Sequence, residues 1–121
     1  MKASELRIGN YLTTDYDYLC EVELIHKKHF DCRELTTGLF IPNGIYKPII
    51  LNEDWLIKYN HSKLDKELFS IEYEYNEIQL TFKGDGYNVD IGGIVIAFVQ
   101  YVHEWQNTYF ALTKKELTIN S

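Results

Sequence analysis

Four side chains with metal-ligating chemistry fall within thirteen residues: Cys20, His26, His29 and Cys32. Two thiolates and two imidazoles can enclose zinc tetrahedrally. The spacing C-x5-H-x2-H-x2-C lacks the close cysteine pair that opens most structural zinc sites. On a hairpin, His26 and His29 would also point to opposite faces. The four are therefore read as two buried thiols and two loop histidines, with no metal expected. Cysteine catalysis would need Cys20 or Cys32 beside a base such as His103, plus an orienting group and an oxyanion hole. No G-x-S-x-G elbow or oxyanion signature accompanies them. His103-Glu104-Trp105-Gln106-Asn107 begins like H-E-x-x-H but places Asn107 where the second zinc ligand belongs.

The remaining candidates are weaker. Gly84-Asp85-Gly86 and Gly92-Gly93 are followed by strand-like YNVDI and IVIAF, not by a Lys-Ser/Thr pair opening a helix. They read as hairpin turns rather than phosphate loops. Glu72 and Glu74 would share a strand face with their Cβ atoms about 7 Å apart. Glycoside chemistry needs two carboxylates facing each other across a cleft, which one strand does not supply. Together with Asp15, Asp17 and Glu77 they could mimic a row of phosphates. Nothing here assembles an active site or a cofactor site, so a non-enzymatic protein without cofactor is expected.

The elements that would position these residues follow from composition and periodicity. The 121 residues correspond to one domain, with candidate subunits at 1–60 and 61–121. Apolar residues make up 45% and charged residues 25%, a globular composition. Twelve Lys/Arg against eighteen Asp/Glu give −6, the opposite of what phosphate binding favours. No apolar run approaches a membrane span. The first twenty residues carry Glu5, Asp15 and Asp17 and no apolar stretch before a cleavage site, so no export signal is expected. Two cysteines then suit a reducing cytosol.

Aromatic residues reach 15% and favour strands. A helical turn is expected at 3–5, and strands at Leu6–Thr13, Tyr18–Lys28, Asp31–Leu35 and Leu39–Ile41. In the second of these, Tyr18, Cys20, Val22, Leu24 and His26 would share a face. Pro42-Asn43-Gly44 should end the short strand, and Pro48 limits Ile49–Leu51 to an edge or a strand start. Asn52 is expected to cap a helix at 53–59, and the polar stretch 59–65 to be a joint. Period-2 alternation predicts a hairpin of Phe69–Tyr75 and Ile78–Lys83 around Asn76-Glu77. Tyr87–Ile91 and Ile94–Ala97 would complete a four-stranded antiparallel meander. Phe98, Val102, Trp105, Tyr109 and Leu112, spaced 4, 3, 4 and 3, predict an amphipathic helix over about 98–112. The expected class is α+β: a small N-terminal β-rich, SH3-like unit, a meander, and a long C-terminal helix packed on it.

Three blocks carry a resemblance: MKASELRIGNYL at the start, PIILNEDWLIKYN at 48–60 and YVHEWQNTYFALTKKELTI at 101–119. The chain resembles a family of small proteins encoded by phages, prophages and mobile elements of Bacteroidota bacteria. Its E-L-R-I-G-N pattern is met by Glu5 to Asn10. Its P-I-x-L-x-E-x-W-L-x-K pattern is met by Pro48, Ile49, Leu51, Glu53, Trp55, Leu56 and Lys58. Its Y-V-H-x-x-Q-N-x-Y-F-A-L-T pattern is met by Tyr101 to His103, Gln106, Asn107 and Tyr109 to Thr113. The chain departs from the pattern at Trp105, where relatives usually have Leu, and at Lys114, often Gly. The resemblance implies a phage-type context and a bacterial host cytosol, and it carries over no catalytic residues.

The expected function is a non-enzymatic interaction protein that binds and modulates a host protein or ribonucleoprotein. Its sharpest form is a counter-defence, anti-CRISPR-like inhibitor of an RNA-guided nuclease, meeting RNA through that partner. The alternative is a nucleic-acid-binding accessory module built on the N-terminal strands near Arg7, Lys27, Lys28 and Arg33. Self-association through the open edge of the meander is a further candidate. The expected binding residues are His103, Gln106 and Asn107, which match the family block without serving the apolar stripe. Their rival role is to hold the helix to the sheet through buried hydrogen bonds.

Overall fold

A computed structural model describes residues 3–14, 17–26, 30–41, 46–117 and 119, with side chains omitted at 40 and 41. Lys27, Lys28, His29 and the turn expected at Pro42-Asn43-Gly44 lie outside them. The chain forms two compact units, Met1–Ile49 and Ile50–Ser121. The short helix therefore belongs with the second unit, and the boundary precedes it rather than following it.

The first unit is a five-stranded antiparallel sheet after a 3-10 turn at Ala3–Glu5. Its strands are β1 (Tyr11–Thr14), β2 (Leu19–Ile25), β3 (Phe30–Glu34), β4 (Phe40–Ile41) and β5 (Tyr46–Lys47). Their order is β4-β3-β2-β1-β5: four strands meander and the fifth returns beside the first. That is the strand order of the expected SH3-like unit. Register places Leu12 opposite Cys20 and Val22 opposite Cys32. These four are fully buried and, with Leu6, form the core.

The first strand starts later than its apolar residues suggest. Asn10 is buried, and its Oδ1 accepts the Arg7 N–H at 2.7 Å. Gly9, at φ 97°, takes the left-handed conformation and donates its N–H to the Val22 carbonyl at 2.8 Å. The segment Glu5–Asn10 is thus a tight turn hung on β2. A bulge in β2 between Val22 and Leu24 breaks the expected one-face alternation, and Leu24 is exposed. Beyond β3, the Glu34 carboxylate accepts the Thr36 and Thr37 N–H groups and the Thr37 hydroxyl. These bonds stabilise its charged form and lower its pKa to about 2.

In the second unit, helix α1 (Glu53–Lys58) precedes strands β6 (Ser62–Asp65), β7 (Leu68–Tyr73), β8 (Asn76–Phe82), β9 (Tyr87–Ile91) and β10 (Ile94–Val99). Helix α2 (Val102–Thr113) follows. The sheet is antiparallel in the order β10-β9-β8-β7-β6. It has five strands instead of the expected four, because the supposed joint at 59–65 contains β6. Every side chain of β6 is exposed, so this edge strand is held by backbone pairing and leaves no alternation to read. Phe69, Leu80 and Val89 are aligned across three strands and buried. The β7–β8 turn is Glu74-Tyr75, not Asn76-Glu77, since Tyr73 pairs with Asn76. Gly92 and Gly93 both have positive φ, as a two-residue hairpin turn demands.

Asn52 caps α1 as expected, its Oδ1 accepting the Trp55 N–H at 3.2 Å. The second helix does not begin at 98: Phe98 is in β10. The Glu104 carboxylate accepts the Gln100 N–H at 2.8 Å and the Tyr101 N–H at 3.1 Å, which fixes the start at Val102. The stripe then holds, with Val102, Trp105 and Tyr109 buried. The helix closes on Lys114 in the left-handed region (φ 62°), whose N–H donates to the Phe110 carbonyl at 2.8 Å. A Cβ is strained there and glycine is not. Lys114→Gly is therefore expected to stabilise the protein by about 0.5–1 kcal/mol. Thermal unfolding of the two proteins checks this, and an unchanged or lower Tm would contradict it.

Candidate interaction surface

Of the four potential metal ligands weighed in the sequence, Cys20, His26 and Cys32 lie among the described residues. Cys20 and Cys32 are free thiols in the core of the first unit. Desolvation raises both pKa values, that of Cys32 to about 12, so both thiols stay protonated near neutral pH. His26 Nε2 lies 2.9 Å from Asp31 Oδ2, and His29 is outside the described residues. Among the described residues no group of three His, Cys, Asp or Glu side chains could hold a metal ion. Cys20 and Cys32 belong to the first unit and His103 to the second.

The residues chosen for binding on α2 do not form an open patch. His103 is 3% exposed and Gln106 2%, while Asn107 is half-buried. The His103 ring is nearly parallel to that of Tyr101, with centroids 6.0 Å apart and planes 7° apart. The helix is covered well beyond its apolar stripe, so polar residues flanking the stripe are drawn inside.

The stripe itself holds a polar pair. The Trp105 indole N–H donates to His61 Nε2 at 3.1 Å, in a fully buried contact. An indole only donates, so Nε2 must be the acceptor and the neutral ring carries its proton on Nδ1. Desolvation lowers the His61 pKa to about 4, although backbone interactions with Leu56 and Tyr59 act in the opposite sense. In the unfolded chain the imidazole titrates near 6.5. Between these values the unfolded state binds a proton that the native state refuses. Stability should therefore fall as pH drops from about 6.5 to 4, by up to about 1.4 kcal/mol per pH unit. Both tryptophans, Trp55 and Trp105, lie in the second unit, so their fluorescence follows its unfolding. Denaturant titrations at several pH values should show the fall, and His61→Gln should flatten it. An equal slope in that variant would contradict the assignment.

The carboxylates are arranged differently from the expectation. Glu74 sits in the β7–β8 turn at φ 54°. Glu72 instead lies directly opposite Glu77. Like charges in that position destabilise a sheet pair, so stability does not explain them. Register puts Ser70, Gln79, Asp90 and Val95 in one row, and Thr81, Asn88 and Phe98 in another, on the same outer face. This face carries Glu72, Glu77 and Asp90, and strands β7 to β10 contain no lysine or arginine. The asymmetry extends to the whole unit. Residues 50–121 hold six Lys/Arg against eleven Asp/Glu, net −5, and residues 1–49 hold six against seven, net −1.

At one margin of this acidic unit lies β10, whose sequence Ile-Val-Ile-Ala-Phe-Val contains no charge. It is a terminal strand, paired with β9 on one side only among the described residues. Ile94 is 69% exposed, Val95 56%, Ile96 43% and Phe98 45%. Natural edges are usually guarded by charge, proline, a bulge or a covering element. Among the described residues only a bulge between Val95 and Ala97 is present here. Gly86 fixes the strand from beneath: a Cβ there would lie 2.7 Å from both Phe98 Cζ and the Val99 carbonyl oxygen. A run such as IVIAF reads equally as a central or an edge strand, so the sequence gives no sign that this one is uncovered.

The same unit contains an aromatic groove of about 480 Å³ beside Phe69, Phe82, Tyr87 and Tyr101, rimmed by Glu53 and Asp85. Tyr87 packs between Phe82 (5.3 Å) and Phe69 (6.2 Å), so these rings are largely engaged with one another.

No protein-family model, curated protein or solved structure matches the chain.

Proposed function

We propose that this chain is a non-enzymatic interaction protein of a phage or mobile element, and that it engages host machinery through the β10 edge. The observation that carries the reading is the run of four large apolar side chains exposed on an uncharged terminal strand. Such an edge offers backbone hydrogen bonds and apolar contact together, the basis of recognition by strand addition. The sequence resemblance supplies the context, a bacterial host cytosol. The sharpest form is a counter-defence, anti-CRISPR-like inhibitor of an RNA-guided nuclease that meets RNA only through that protein.

Direct nucleic-acid binding is less well supported. Arg33 is paired with Glu23 at 2.7 Å and Lys47 with Asp17 at 3.0 Å, so two of the first unit's cations are engaged within it. The second unit would repel phosphate.

Affinity purification from the bacterial host, with identification of co-eluting protein and RNA, tests the reading. The wild-type protein is expected to retain one stoichiometric host protein, a defence nuclease with its guide RNA in the sharpest form. A protein with Ile94→Lys and Val95→Lys should lose it while remaining folded, because exposed substitutions of this kind cost about 0.5 kcal/mol or less each. Retention of the same partner by the double variant, or of none by the wild type, would overturn the reading.

A further inference from the structure

The chemistry of the partner segment can be taken further, on the premise that β10 is the docking edge. We propose that β10 accepts an extended, basic segment of another protein as a sixth strand. In that arrangement a lysine or arginine stands opposite Val95 and an apolar residue opposite Phe98.

The argument rests on the rows of the sheet. Val95 pairs with Asp90, and Phe98 with Asn88, which in turn pairs with Thr81. A strand added outside β10 lies two inter-strand spacings from β9, about 10 Å. A lysine or arginine in the Val95 row spans that distance over the valine side chain and brings its charge to Asp90, burying its stem on the way. Glu77 and Glu72 lie farther along the same face and add a field of the same sign. The Phe98 row is uncharged out to Thr81, so a residue opposite Phe98 meets only an apolar ring and neutral groups.

Charge also decides among the occupants. A second copy would bring its own unit of net −5 to the edge with no cation in its β10 strand to offset it. Nucleic acid would meet the same repulsion. A basic polypeptide segment satisfies both the apolar edge and the acidic face, and electrostatic complementarity of this kind favours encounter and register.

The test uses the full chain and three labelled ten-residue valine-rich peptides: one with lysine at every fourth position, so that lysine and valine alternate along one face, one with glutamate in place of lysine, and the lysine–valine peptide with a central proline. In fluorescence anisotropy the lysine–valine peptide is expected to bind at least roughly tenfold more tightly than either of the others. Its advantage over the glutamate peptide should shrink as salt rises. Asp90→Asn should reduce that advantage and Asp90→Lys should reduce it further, with thermal melts confirming that both variants fold. Equal binding of the lysine and glutamate peptides, or undiminished binding of the proline peptide, would overturn the proposal. So would a concentration-dependent dimer in sedimentation that Val95→Lys dissolves, which would assign the edge to a second copy. A host partner lost on β10 substitution but indifferent to Asp90 would refute the basic segment and leave the docking edge standing. Peptide discrimination with a host partner indifferent to β10 would do the reverse.

Discussion

The second unit depends on the buried hydrogen bond between the Trp105 indole and His61 Nε2. It joins residues 44 positions apart and ties α2 to the segment that leads from α1 into β6. Loss of either partner would strand a polar group in a dry interior, which costs more than the bond itself gains. The bond also demands a neutral imidazole, and burial enforces that state by lowering the His61 pKa. One polar contact thus sets the helix position, the histidine's protonation and the pH range in which the unit is firm.

Around that anchor the unit separates two jobs. The row Phe69, Leu80 and Val89 supplies the core, and Glu104 and Asn52 close the helix starts. None of these residues needs the outer face. That face is left with Glu72 against Glu77, an arrangement that weakens the sheet. Its adjoining edge is left apolar and open. Features that cost stability without serving the core are the ones for which a partner is the natural explanation.

The legible parts of the fold were those that local rules decide. Asn52 before Glu53 and Asp54 marks a helix start by itself, and Gly92-Gly93 marks a hairpin. The Val102, Trp105 and Tyr109 spacing identifies one helix face. The α+β class followed from these. Sequence pattern and fold part where strand pairing overrides side-chain pattern. Phe98 continues the helical spacing, yet Glu104 caps the helix after it. Ser62–Asp65 has no alternation because neither face is buried, and the bulge after Val22 turns Leu24 outward. The candidate site was less legible. His103 and Gln106 are polar in sequence and buried in the fold. The exposed β10 strand reads as core, because only the sheet order shows that it comes last.

An uncharged, open edge strand is ordinarily an aggregation hazard. Here it belongs to a unit with five excess negative charges, and the first unit is close to neutral. The imbalance acts as a filter on the edge. Two copies approaching through β10 must bring like charges together, whereas a basic strand gains from the same field. Charge of one sign beside the strand can therefore serve where charge within the strand would block it. A lysine in β10 would protect the edge from every partner, but an acidic face beside it discourages self-pairing and keeps the edge available to an oppositely charged one. The separation of an apolar strand from the acids on its neighbouring rows is what lets a single edge be both guarded and receptive.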